Sequence, residues 1–378
     1  MTNKQEYDIG IVGAGIIGLA HAYFAARKGL KVVVFEKSSR SEGASIRNFG
    51  LIWPIGQDTE KLERAMRSRA SWLKLSERAG FWVKANGSVH IAYNQDELDI
   101  ITEFQHSVGE IYGSSLLQPQ KTKSLSHFIV DSGLMGGLYS PNELTVNSRE
   151  ALPAITSYLE KEMNIAFHFN TQVQMVTDSH IYCNGQNEKY QVQHIIVTGG
   201  SDIHTLFPEV YENNLLVRTK LQMLKAESEL EDYRLGPTLC GGLTLTHYKA
   251  FEKCKSLSKL NERISELHPD LKKYGIHVMV SQNDHGEFIF GDSHEYDDIV
   301  SPFNKEEIDN AILKYLKNFF ITENIRITER WHGVYAKNTS GETELVMNPQ
   351  ENVTLVNGLG GAGMTLSFGL AEEIIDNL

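Results

Sequence analysis

The densest chemical signal in the chain is Gly13-Ala14-Gly15-Ile16-Ile17-Gly18, followed 23 residues after Gly13 by a carboxylate, Glu36. Glycines at this spacing do three jobs where a strand turns into a helix. Gly13 permits the tight turn, Gly15 lets the backbone approach a phosphate closely, and Gly18 lets the helix pack against the strand. The helix N-terminus then offers N–H groups and the positive end of its dipole to a pyrophosphate. Glu36 can accept hydrogen bonds from both hydroxyls of an adenosine ribose. It would meet a ribose 2′-phosphate as a second anion, so NADP is the weakest nucleotide candidate.

These residues work only if a strand, a helix and a second strand hold them. Tyr7 to Val12 is an apolar run rich in β-branched residues, Leu19 to Lys28 has a helical pattern closed by Gly29, and Lys31 to Phe35 is a second apolar run ending at Glu36. Further along, helices are expected over Thr59 to Ala79, Gln95 to Ile111, Asn147 to Glu162, Leu257 to Leu267 and Lys305 to Phe319. Strands are expected at Gly87 to Tyr93, Ala166 to Phe169, Val173 to Val176, Ile181 to Cys183, Gly241 to Tyr248 and His277 to Val280. Two more glycine turns follow apolar runs. His194 to Thr198 leads into Gly199-Gly200, and Val353 to Val356 leads into Gly358 to Gly363 and a closing helix from Met364 to Asn377.

Composition narrows the classes. With 378 residues, 41% of them apolar and 22% charged, the chain has length for two to three domains and a core that needs no covalent staple. The net charge of −12 disfavours attraction to nucleic acid and leaves a small molecule as the better partner. Cys183, Cys240 and Cys254 form no CxxC, and the 14 histidines show no HExxH or tight Cys/His grouping, so no metal site is expected. No leader pattern and no charge-free span able to cross a bilayer stands out, which reads as a cytoplasmic, soluble protein.

Glycine-bearing elements at the N-terminus, in the middle and at the C-terminus resemble the glutathione-reductase-type FAD fold, specifically the D-amino-acid oxidase, glycine oxidase and sarcosine oxidase family. The residues carrying the likeness are Glu36-Lys37 with Gly43 to Gly50, then Val197-Thr198-Gly199-Gly200, then Glu329-Arg330-Trp331-His332-Gly333-Val334-Tyr335, and Asn357 to Leu366. Within that family the chain is similar to phosphonate-associated FAD oxidoreductases, through Arg47 to Gly50, Trp53 to Gln57, Gly87 to Tyr93, Gly241 to Tyr248 and Gly291 to Tyr296. The resemblance implies an α/β (α+β) protein with a Rossmann-like FAD-binding domain over 1–85, 146–215 and 325–378. A mixed-sheet substrate domain over 86–145 and 216–324 would close the active site against it. It implies FAD contacts from Gly13, Gly15, Ile16, Ile17, Gly18, Glu36, Lys37, Ser45, Arg47, Asn48, Val173, Thr198, Gly199, Gly200, Gly333, Gly360, Gly361, Gly363 and Met364. FAD would be held noncovalently, because the chain has no cysteine beyond Cys254 and no histidine in Arg47-Asn48-Phe49.

One departure is informative. Amino-acid oxidases of the family usually carry an arginine two residues beyond the glycine of a Trp-x-Gly element, where its planar fork binds the substrate α-carboxylate. Here Trp331 and Gly333 keep the register, and the arginine position is Tyr335. The substrate therefore either lacks an α-carboxylate or meets another cation. Arg47, Lys220, Lys249, Arg330, His90 and His247 lie in segments that could supply one, with Arg47 and Lys249 the expected anion ligands. Tyr248, His247 and Tyr335 are the candidates for positioning substrate. The reaction implied is oxidation of a small amine at the carbon beside nitrogen. The substrate would be an aminophosphonate such as 2-aminoethylphosphonate or its N-methyl form, and oxygen or another acceptor would regenerate the flavin. The alternatives are a D-amino-acid, glycine or sarcosine oxidase, a noncatalytic flavin-binding sensor, and, least supported, an NAD-dependent dehydrogenase, which would not need the C-terminal glycine turn.

Overall fold

In the computed structural model, which describes residues 6–183, 189–229, 233–297 and 299–378, the strand Glu6–Val12 runs through an eight-stranded sheet, parallel to Lys189–Val197 on one side and Val32–Phe35 on the other. Ile11 sits opposite both Ile196 and Val34. Val32–Phe35 and the ends of the other two strands, Ile9 to Val12 and Ile195 to Val197, are continuous apolar runs because layers cover both faces of a parallel sheet there. Helices Ile16–Arg27, Thr59–Ala79, Ser148–Glu162 and Gly363–Asp376 bury Leu19, Trp72, Leu152 and Phe368 in one shared core. Val353–Asn357 adds to the sheet in parallel beside Lys189–Val197, which places the glycine turn at 358–363 near the one at 199–200.

A second sheet of nine strands carries Ser88–Ala92, Gly136–Ser140, Thr238–Cys240, Met279–Gln282 and Phe288–Gly291, together with the long antiparallel pair Leu216–Ser228 and Ile325–Asn338. The sequence groups 325–378 with the FAD-binding segments, yet Ile325–Asn338 pairs along its length within this second sheet, with Thr219 opposite Tyr335.

Elements with strong local signals fall close to their expected limits. The helix Thr59–Ala79 starts where the Asp58 carboxylate accepts from the Lys61 N–H at 2.9 Å, and it stops at Gly80 in the left-handed region (φ 74°). One element differs. Gly241 to Tyr248 reads as a strand, but the strand ends at Cys240 and Gly242–Thr246 is a 3₁₀ turn. The Thr244 and Thr246 hydroxyls donate back to the carbonyls of Gly241 and Leu243, at 2.7 and 2.8 Å, and this local bonding competes with a ladder. Among the described residues no helix is long and apolar enough to cross a membrane.

Candidate active site

The C-terminal ends of the parallel strands, where open α/β sheets bind ligands, open into one cavity of about 950 Å³ that continues to the second sheet. It lies near the upper end of the roughly 300–1,000 Å³ usual for cofactor sites. Gly13, Gly15, Ile16, Ile17, Glu36, Lys37, Ser45, Arg47, Asn48, Val173, Thr198, Gly199, Gly200, Gly333, Gly360, Gly361, Gly363 and Met364 all line it. Of the nucleotide-site candidates only Gly18 stands behind the wall, and it does so for a reason. A Cβ there would lie 1.9 Å from the Gly13 carbonyl oxygen. Gly13 itself has φ 102°, and its Cβ would lie 2.5 Å from the Thr198 carbonyl oxygen. Gly15 is the contrasting case, because a Cβ would meet only the Ser45 hydroxyl at 3.3 Å. The protein fills the space around Gly18 and leaves the space in front of Gly15, as a cradle for a phosphate requires.

Glu36 accepts from the N–H groups of Ala14 and Ser38, both at 2.9 Å, so its carboxylate is fixed at the mouth of the turn. The Ile16 N–H donates to the Ser45 hydroxyl at 3.0 Å, which brings Ser45 to the N-terminus of the first helix. Asn48 bonds the carbonyls of Ala44 and Ser45 and receives the Gly50 N–H, holding its own segment in shape. Lys37 pairs with Asp202 at 3.0 Å across the rim. At the far end the Gly360–Ala362 turn feeds a helix whose N-terminus faces the cavity, and the Asn357 amide ties this turn to the Gly200 carbonyl at 3.0 Å.

The chamber beyond that end is lined by Trp53, Tyr248, Met279, Tyr335 and three histidines. Burial pushes the Tyr248 and Tyr335 phenols well above their usual range, so both stay protonated and act as neutral hydrogen-bonding groups. Of the six basic candidates, Arg47, Lys249 and His247 line the cavity. The Arg47 guanidinium donates to the His332 carbonyl at 3.3 Å, and Lys249 donates to the Gly341 carbonyl at 2.5 Å. Lys220, Arg330 and His90 do not line it. Lys220 donates to the Phe303 carbonyl, Arg330 pairs with Asp309 at 3.1 Å, and His90 is buried between Trp53 and Phe251.

Sequence reasoning missed the grouping of His247, His277 and His294, each of which brings one ring nitrogen within 4.8 Å of one from the other two. They come from three separate segments, so no spacing rule finds them; the run Gly291 to Tyr296 carried a resemblance but no chemistry. His277 Nε2 lies 2.9 Å from Asp292 Oδ1, and His294 Nδ1 lies 3.1 Å from the Gly275 carbonyl. Burial holds His247 well below the usual imidazole range and lowers His294 to about 4, so both are neutral at neutral pH. Burial alone would raise the Asp292 carboxyl, but His294 and His277 outweigh it and hold it below its usual value.

Comparison with known proteins fits this geometry. The solved glycine oxidase of Geobacillus kaustophilus superposes with a TM-score of 0.78 at 16% identity, over 99% of this chain and 94% of that one. The L-proline dehydrogenase of P. horikoshii superposes with a TM-score of 0.80 at 17% identity, over 98% and 93%. In sequence, an opine oxidase subunit of Rhizobium meliloti is 25% identical over 238 residues, which are 59% of this chain and 64% of that protein, so the match spans less than two thirds of the relative. The model of the DAO family, FAD dependent oxidoreductases, matches residues 8–377. The cradle at Gly15 and the carboxylate at Glu36 suit that cofactor, and the chain belongs to the DAO family of FAD-dependent oxidoreductases.

Proposed function

We propose that this enzyme oxidises the C–N bond of a small amine, with an aminophosphonate such as 2-aminoethylphosphonate or its N-methyl form as the substrate class. The observation that carries the reading is the position of Tyr335. It lies on the cavity wall, with its hydroxyl 3.8 Å from a Cβ built at Gly361, and in sequence register it stands where amino-acid oxidases of the family usually carry a carboxylate-binding arginine. A neutral phenol is a poor partner for an α-carboxylate, because it offers one donor and no charge.

Bound FAD would accept a hydride from the carbon beside nitrogen; the imine left behind takes up water and parts into an aldehyde and an amine. Gly13, Gly15, Ile16, Ile17, Glu36, Ser45 and the Gly360 to Met364 turn would hold FAD, without a covalent bond. The chain's part beyond that is orientation and exclusion of water. Trp53, Met279 and Tyr248 form an apolar wall that disfavours an ammonium and so favours the neutral amine whose lone pair assists hydride loss. Tyr248 and Tyr335, both protonated, position the substrate without taking a proton from it.

The test is anaerobic mixing of the yellow enzyme with a panel of amines, amino acids and aminophosphonates while the flavin band is followed. The band should bleach with an aminophosphonate at least tenfold faster than with glycine or sarcosine. If glycine bleaches it faster, the amino-acid oxidase reading replaces this one; that reading draws on glycine oxidase of Geobacillus kaustophilus, 25% identical over 181 residues. A flavin that no member of the panel reduces would mark a binding protein rather than an oxidase.

A further inference from the structure

We propose that Gly56 is the specificity-determining position of the chamber. By carrying no side chain it lets the Trp53 indole and the Tyr248 phenol stand back from the open space, and so sets the bulk of the amine that is admitted. The inference rests on the reading above, that a small amine is oxidised in this cavity, and it adds the residue that limits the amine's size.

Position 56 meets Trp53 for a local reason. Pro54–Gly56 is a single 3₁₀ turn, and the Gly56 N–H donates to the Trp53 carbonyl at 3.3 Å. In such a turn residues three apart eclipse, so a side chain at 56 stands over that of residue 53. A Cβ built on Gly56 lies 2.4 Å from Trp53 Cδ1, 2.8 Å from Trp53 Nε1 and 2.7 Å from Tyr248 Cδ1. Carbon atoms pack at about 3.5–4.0 Å, so both rings would have to move by about 1 Å. The atoms met belong to the bodies of two rings, not to flexible ends. The backbone does not itself call for glycine, because the φ of Gly56 lies outside the left-handed region. The missing side chain is therefore what matters here.

The turn that carries Trp53 is anchored by three separate elements. The Trp53 N–H donates to Thr365 Oγ1 at 2.9 Å, the Ile55 N–H to the buried Glu143 carboxylate at 3.0 Å, and the Tyr112 hydroxyl to the Gln57 carbonyl at 2.6 Å. Thr365 adjoins Met364 of the C-terminal glycine turn, so Trp53 is fixed relative to the cofactor end of the cavity. On its buried side Trp53 packs on His90, 5.8 Å away between centroids, and His90 in turn packs on Phe251. Tyr248 is held by Met279, whose sulfur accepts from the phenol at 3.4 Å. A close-packed interior yields little. The open side for both rings is the chamber that they line, so a Cβ at position 56 drives them into it and takes up its free space.

The experiment compares FAD-loaded wild-type, Gly56→Ala and Trp53→Leu enzymes by crystal structure and by anaerobic flavin bleaching. The amines are 2-aminoethylphosphonate and its N-methyl, N-isopropyl and N-benzyl forms. One methylene in an apolar pocket discriminates by about 10–200-fold. Gly56→Ala should therefore keep its flavin and lower kcat/KM for the N-substituted amines, relative to the unsubstituted one, roughly tenfold or more. Its crystal structure should show both rings displaced into the chamber. Trp53→Leu should shift the same ratio the other way. Rings displaced away from the chamber, or an order of rates that neither variant alters, overturns the proposal. If Gly56→Ala does not fold, Trp53→Leu decides alone, and an unaltered order of rates in it overturns the proposal. If none of the four amines bleaches the wild-type flavin, the oxidation reading fails, while the ring positions still show whether Gly56 sets the width of the chamber.

Discussion

Gly15→Val should give a folded protein without colour. The Cβ of residue 15 meets only the Ser45 hydroxyl at 3.3 Å, a contact that a slight shift relieves, and the two valine methyls then project into the cavity where a pyrophosphate would lie against the helix N-terminus. Flavin content per protein should fall at least tenfold, with the thermal midpoint of the stripped protein close to that of wild-type apoprotein. Gly18→Ala is the matched opposite. Its Cβ would overlap the Gly13 carbonyl oxygen at 1.9 Å and crowd Thr198 Oγ1 at 2.9 Å, so the helix must leave the strand or the turn must open. That variant should lose soluble, cooperative folding as well as flavin. Absorbance ratio, circular dichroism and melting of the two proteins check the pair. A yellow Gly15→Val enzyme would mean that phosphate does not approach residue 15 and that the open space in front of it serves no cradle.

The contrast between these glycines also shows what a sequence can reveal. The strand, turn, helix and carboxylate from Glu6 to Glu36 are legible because each signal is local and each acts on its immediate neighbours. The substrate chamber is not. Lys220 sits in a strand beside residues that do reach the cavity, but Leu221 and Met223 point into it, and a period of two sends Lys220 and Gln222 to the opposite face, where Gln222 bonds Asp309. Arg330 joins the same Asp309. His247 reaches the chamber from the end of a 3₁₀ turn that reads as a strand, and His277 and His294 arrive from segments flanking other strands. Long-range pairing of the second sheet makes that cluster, and no window of the sequence contains it.

A large pH-dependent effect on stability is expected at His90, outside the cavity. Its side chain is 1% exposed, both ring nitrogens are buried without partners, and its neighbours are aromatic, with Trp53 at 5.8 Å and Phe251 at 5.1 Å between centroids. Burial pushes its pKa down to about 3. The sign follows from proton counting. Below the ordinary value near 6.5 the unfolded chain takes up a proton that the folded chain refuses, so stability falls as pH drops and goes on falling until about 3. At pH 5 the interval below 6.5 corresponds to about 2 kcal/mol. His90→Phe keeps an aromatic ring in an aromatic setting and removes both the unpartnered nitrogens and the titration. It should stabilise the protein by about 1 kcal/mol or more at pH 8, from the polar groups alone, and by about 2 kcal/mol more at pH 5, with flavin content and turnover unaltered. Urea unfolding of both proteins at the two pH values reads the difference directly. A gain that is the same at pH 8 and pH 5 would mean that the folded state protonates His90 as readily as the unfolded chain does, which requires a partner for its ring that the aromatic packing does not provide.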